Sequence, residues 1–264
     1  MSYCVGVIGT GRLGGAVLLG LKRAGFSRAE VIATAPRNQV PALSLNEAAV
    51  FCSDVSEIID KASIILVCVR PGQVGDLLKA YREDLNNDQS LAILSAGVSF
   101  GVALDLLSGR TLELSRVITS VNIASGSGFS VIYAQGREIP RIRSLMAKLG
   151  AVLVASTERD LEDISLISGT LPALIALFQG SVVDWVVKGG VPRVLAEDLV
   201  LRAILGTVRT ESELQLTTDQ LVDLVCTPGG LTESAVRSIK LAGFEEFAGA
   251  WFNGLRKKGR EENV

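Results

Sequence analysis

The stretch Val5-Gly6-Val7-Ile8-Gly9-Thr10-Gly11-Arg12-Leu13-Gly14 decides the fold. Residues 5–8 form a short apolar run. Residues 13–24 carry apolar side chains at helical spacing and stop before Gly25. A Gly-x-Gly-x-x-Gly loop between a strand and a helix is the dinucleotide fingerprint of a Rossmann unit. Gly9 permits the tight turn, Gly11 lets backbone approach a pyrophosphate, and Gly14 lets the helix pack closely on the sheet. The helix N-terminus presents free N–H groups and a partial positive charge to phosphate. Gly9, Thr10, Gly11, Arg12, Leu13 and Gly14 are therefore the expected cofactor-binding loop.

Further along, apolar runs recur at residues 31–34, 64–69, 91–95, 117–120, 130–134 and 152–154, giving seven in all. Helical patterns, such as residues 74–81 and 141–149, separate most of them. Short buried strands alternating with helices predict a mostly parallel, doubly wound sheet. The end of the second strand selects the dinucleotide. An NAD site usually places a carboxylate there. Glu30 lies at the wrong end of that strand, and no acidic residue follows until Glu47. Arg37 stands where a guanidinium grips a 2′-phosphate, with Asn38 and Thr34 beside it. NADPH is the expected cofactor, with NADH possible. A plain surface role for Arg37 is the alternative. The next long run ends in Val69-Arg70-Pro71, at the carboxyl edge of the sheet where ligands bind. Arg70 reads equally as a cofactor neighbour and as a solvated side chain.

Composition narrows the chemistry. The chain has 264 residues, 48% hydrophobic and 20% charged, so it can bury a sizeable core. Its formal charge of -2 gives no basic footprint for nucleic acid or an anionic membrane. It contains no histidine, which excludes an imidazole base, a Ser-His-Asp hydrolase and the commonest zinc ligand. No metal site is expected. No charged segment precedes residues 4–8, and no uninterrupted apolar run reaches about 18 residues. The cysteines Cys4, Cys52, Cys68 and Cys226 are scattered and read as reduced thiols, so a cytoplasmic location is expected. The basic run Arg256-Lys257-Lys258-Gly259-Arg260 reads as a frayed, solvated tail.

After about residue 157 the texture becomes helical, at residues 172–188, 193–210, 218–225 and 232–241. The expected architecture is α/β: an N-terminal Rossmann doubly wound sheet (1–156) and an all-α C-terminal domain (157–264). Residues 174–187 are apolar nearly all round and need cover on every side. A unit of about 105 residues provides that poorly, so a helical dimer interface is expected. Between two helices lies Cys226-Thr227-Pro228-Gly229-Gly230-Leu231-Thr232-Glu233. Its paired glycines before a helix start suit an anion pocket. They also suit a tight turn with Thr232 as N-cap.

These segments resemble the pyrroline-5-carboxylate reductases over nearly the whole chain. The similar segments run from the glycine loop through Val69-Arg70-Pro71 (usually Val-Lys-Pro in the family) and Ser95-Ala96-Gly97-Val98-Ser99. They continue through Ser168-Gly169-Thr170-Leu171-Pro172-Ala173, Gly190-Val191-Pro192-Arg193 and Thr227-Pro228-Gly229-Gly230-Leu231-Thr232. The resemblance implies an all-α dimerisation domain interleaved with a partner, in a homodimer or higher homo-oligomer. It implies reduction of a small cyclic imine, 1-pyrroline-5-carboxylate, to L-proline with NAD(P)H. By that carry-over, Gly229 and Gly230 hold the substrate carboxylate, Thr232 bonds near the ring nitrogen, and Thr227 and Thr170 help line the pocket. Three segments depart from the pattern. Thr170-Leu171 replaces Ser-Gly, Ser120 replaces an asparagine near the nicotinamide (Asn122 stands two residues on), and Gly180 replaces an acidic residue. A reductase of a different imine and a non-catalytic NADP-binding protein are the alternatives. A β-hydroxyacid dehydrogenase would need a lysine between Gly169 and Trp185, and there is none.

Overall fold

The computed structural model describes residues 3–34 and 43–262. The first strand, β1 (Tyr3–Ile8), leads through the glycine loop into α1 (Arg12–Arg23). β2 (Val31–Thr34), α2 (Leu43–Asn46), β3 (Val50–Cys52), α3 (Val55–Lys61) and β4 (Ala62–Val67) complete the first half of the sheet. The second half comprises α4 (Pro71–Tyr81), β5 (Ser90–Ile93), α5 (Phe100–Leu106), β6 (Glu113–Thr119), β7 (Gly128–Tyr133), α6 (Pro140–Ala147) and β8 (Gly150–Val154).

The eight strands lie in the order β3-β2-β1-β4-β5-β6-β7-β8. Pairing is parallel except between β6 and β7, where Ile118 faces Val131 in antiparallel register. The first six strands therefore follow the doubly wound order, which reverses between β1 and β4. β3 is the strand that the apolar pattern does not announce. It has only three residues, Val50, Phe51 and Cys52, all half-buried at the sheet edge.

Alternation along β4 shows why both faces are covered. Ile64 and Leu66 join one buried cluster with Val17, Leu18, Leu21 and Met146 from α1 and α6. Ile65 and Val67 join the opposite cluster with Ile58, Leu78 and Phe100 from α3, α4 and α5. A strand buried on both faces reads as a continuous apolar run rather than an alternating one.

The C-terminal helices are α7 (Glu158–Lys188), α8 (Arg193–Glu213), α9 (Thr218–Val225), α10 (Leu231–Leu241) and α11 (Phe244–Glu262). Two expectations are corrected. First, α7 starts well before residue 172 and runs through Pro172. Its start is set by a reciprocal cap: Thr157 N–H donates to Asp160, and Asp160 N–H donates to the Thr157 hydroxyl, at 3.0 and 3.1 Å. Second, the basic run after residue 255 is not a frayed tail, because α11 is helical to Glu262. Its aromatic residues, Phe244, Phe247, Trp251 and Phe252, recur at helical spacing; the Trp251 and Phe252 rings meet edge to face at 4.5 Å.

Compactness divides the chain into a unit running to Gly169 and a second spanning Thr170–Lys258. Much of the second unit's apolar surface is open. Leu177, Phe178 and Trp185 on α7 are 69%, 63% and 75% exposed. By length and composition α7 is apolar enough to cross a membrane, although Gln179 and Asp184 interrupt it. Asp184 is paired with Arg193 at 2.6 Å.

Candidate functional site

In the first unit, the glycine loop sits at the carboxyl ends of β1 and β4, where the strand order reverses. Gly9 has φ +93°, and a Cβ there would lie 2.9 Å from a Val69 methyl. A Cβ on Gly14 would lie 1.9 Å from the Gly9 carbonyl oxygen, so helix and loop pack without room for one methyl. A Cβ on Gly11, by contrast, would meet no heavy atom within 4 Å. Gly11 is the N-cap of α1, caps with no side chain, and α1 has no acidic residue in its first turn. Its positive end is thus left to an external anion, which fits a pyrophosphate. Arg12 is exposed at the first helical position, while Leu13 packs against the core.

Threonines lace this loop to β2. The Gly9 N–H donates to the Thr34 hydroxyl at 2.9 Å, and the Thr10 hydroxyl donates to the Thr34 carbonyl at 2.9 Å. Thr34 therefore holds the loop shape. Arg37 and Asn38 lie outside the described residues. Glu30 forms a capping box with Ser27 at the entry of β2, which keeps it at the far end of that strand.

On the neighbouring strand end, the Ser95 hydroxyl donates to the Val69 carbonyl. Arg70 is exposed and caps α4, its N–H bonded to Gln73 at 3.2 Å, with Pro71 at the first helical position. Cys68 packs beside Gly14, and desolvation pushes its thiol up to about 12, so it stays protonated and inert at neutral pH. Ser120, at the end of β6, is 8% exposed and accepts from the Asn122 N–H.

Among the described residues, one charged group is deeply buried. Arg116 on β6 has its side chain 2% exposed and pairs with Glu158 on α7, with Glu162 farther away at 3.4 Å. Glu158 also accepts the Phe100 N–H at the start of α5, at 2.5 Å. The pair joins β6, α5 and the first turn of α7 within the first unit.

In the second unit, the turn between α9 and α10 holds Thr227, Gly229, Gly230 and Thr232. Gly229 adopts φ +73°, which favours glycine. The N-cap of α10 is Gly230, with no side-chain cap, and this corrects the expectation that Thr232 caps it. The Gly230 N–H donates to the Thr227 carbonyl at 2.8 Å. The Gly229 N–H donates to Glu233 at 2.7 Å. Both amides expected to hold a substrate carboxylate thus have partners within the turn, and one partner is itself a carboxylate. Thr227 and Thr232 are exposed. A groove of about 690 Å³ runs between α9 and α10, lined by Cys226, Gly229, Gly230, Glu233 and Arg237 among others. Thr170 is half-buried on α7, Leu171 is 38% exposed, and Gly180 faces open space.

Sequence reading gave no role to Ser95, to the Arg116 pair or to Glu233. For Glu233 the signal existed: a glutamate three residues past an N-cap is half of a capping box. For the Arg116 pair there was none, since its partners lie 42 and 46 residues away.

Fold and loop together define a Rossmann-type dinucleotide-binding protein with a helical C-terminal unit. Family models agree: one described as NADP oxidoreductase coenzyme F420-dependent matches residues 4–97. Another, described as pyrroline-5-carboxylate reductase dimerisation, matches residues 158–261. The pyrroline-5-carboxylate reductase of Corynebacterium melassecola is 24% identical over 248 residues, covering 90% of this chain and 91% of that one. That of Escherichia coli strain K12 is 26% identical, covering 92% of each chain. The crystal structure of Plasmodium falciparum pyrroline carboxylate reductase with NADP bound matches the fold with a TM-score of 0.87 at 21% identity, covering 99% of this chain and 98% of that one. Residues 158–261 thus match the dimerisation domain of the pyrroline-5-carboxylate reductases, and about nine-tenths of the chain is similar to reductases of that name.

Proposed function

We propose that this protein is an NADPH-dependent reductase of a cyclic imine, 1-pyrroline-5-carboxylate, with L-proline as product. The observation that carries the reading is the likeness to reductases of that name over about nine-tenths of both chains. The cradle fits the cofactor: an open Gly11, an uncapped helix N-terminus and a loop held rigid by Thr10 and Thr34. Gly9 to Gly14 would take the pyrophosphate. Arg37 and Asn38 would take the 2′-phosphate, which makes NADH the poorer donor. Val69, Arg70, Pro71 and Ser120 would border the bound cofactor.

When bound, NADPH supplies a hydride to the imine carbon. The chain's own residues supply position and charge. Gly229 and Gly230 would seat the substrate carboxylate. The Thr232 hydroxyl would bond at the ring nitrogen, which carries a proton in the reactive iminium form. Thr227 and Thr170 would close the pocket. None of these roles needs a histidine.

The functional boundary is placed at 156/157, ahead of α7. A homodimer is supported by the exposed Leu177, Phe178 and Trp185 on the segment that the dimerisation model matches. That cover also accounts for the apolar length of α7 without a membrane. The free thiols Cys4, Cys52, Cys68 and Cys226 fit a reducing, cytoplasmic location. A second reading, a different imine, draws on Leu171, whose side chain stands where a glycine is usual.

The test mixes purified protein, NADPH and pyrroline-5-carboxylate. The expected result is loss of reduced-nicotinamide absorbance with proline formed in equal amount. NADPH binding without turnover overturns the substrate assignment. A panel of other cyclic imines then separates a different reductase from a binding protein.

A further inference from the structure

We propose that Glu233 is a resident carboxylate in the substrate-carboxylate seat, and that it sets how strongly the enzyme favours imines that carry a carboxylate. The inference rests on the proposed function, which makes the Gly229-Gly230 turn that seat. Its geometry comes from the turn itself. Gly230 N–H is consumed by the Thr227 carbonyl, so Gly229 N–H is the amide that the turn leaves to a side chain or ligand. Glu233 takes it at 2.7 Å, from the third position of α10.

A glutamate at that position ordinarily reaches the N-cap amide while a hydroxyl caps the helix in return. Here the N-cap is a glycine and the return bond is missing. Glu233 therefore makes half of a capping box, one residue out of place, and is exposed. One bond from an exposed side chain is weak enough for a substrate to displace. An arriving carboxylate must displace Glu233 and approach beside its charge. An imine without a carboxylate meets neither obstacle.

The experiment compares kcat/KM for pyrroline-5-carboxylate with that for unsubstituted 1-pyrroline, in the full-length protein and in Glu233→Ala and Glu233→Gln. The expected result is that the ratio rises about fivefold in Glu233→Ala, the size of one capping bond, and less in Glu233→Gln. A purely structural cap would lower both activities together and leave the ratio where it was. An unchanged or lower ratio overturns the inference. If the wild-type protein turns over neither imine, the proposed function fails, and a binding measurement still decides Glu233. L-Proline, as a carboxylate probe, should then shift the Gly229 amide resonance at lower concentration in Glu233→Ala than in wild type. Equal or higher concentrations overturn it.

Discussion

A single missing methyl separates a loop that fits a dinucleotide from one that does not. Gly14 tolerates no Cβ, because the Gly9 carbonyl oxygen would be 1.9 Å from it. Backbone cannot yield as a flexible side chain does. Gly14→Ala should destabilise the protein by about 1–3 kcal/mol and weaken NADPH binding at least tenfold, read by fluorescence titration. Unchanged NADPH affinity would show that the helix and loop separate freely. Gly11→Ala meets open space in the protein, so any loss there would come from the ligand side. Such positions were legible in the sequence, since spacing alone marked Gly9, Gly11 and Gly14. The lacing by Thr34 was not, because nothing local says that its hydroxyl turns back to a loop 25 residues away.

Among the elements, α7 is anchored by charge at one end and left apolar along its length. Arg116 is enclosed, and its pair with Glu158 also fixes the first amide of α5. Removing one member of a buried pair leaves the other uncompensated, while a half-exposed pair contributes little. Arg116→Met should therefore cost about 3 kcal/mol in urea unfolding. Glu162→Gln, at the longer 3.4 Å contact, should cost less than about 1 kcal/mol. Equal effects would assign the network to Glu162 instead. Periodicity located most of the helices and seven of the eight strands. It missed β3, which is too short and too exposed to form a pattern, and it started α7 only at Pro172. A proline usually ends or starts a helix, and the Thr157 cap that marks the true start lies fifteen residues earlier.

For the whole molecule, exposed apolar area outside the sheet is the dominant fact. Leu177, Phe178 and Trp185 are left mostly exposed by the described residues, and large exposed patches mark interaction surfaces. Under the proposed homodimer, Phe178→Asp should shift the protein from dimer to monomer in sedimentation equilibrium, because a charge in a dry interface core lacks water and partner. A variant that stays dimeric would move the interface off this face of α7.

What the sequence determined by itself was the Rossmann unit, its glycine cradle, the helical second half and the apolar excess of that half. Each follows from local pattern: spacing of glycines, period of apolar residues, and too much apolar surface for too short a chain. What only the tertiary structure decided was which donors and acceptors meet. The Thr34 hydroxyl accepts from Gly9, Glu158 answers Arg116, and Glu233 holds the amide of Gly229. The first two join residues far apart in the chain, and the third hangs on the left-handed turn at one glycine. Hydrogen bonds reach about 3 Å, so only the folded backbone could bring these groups together.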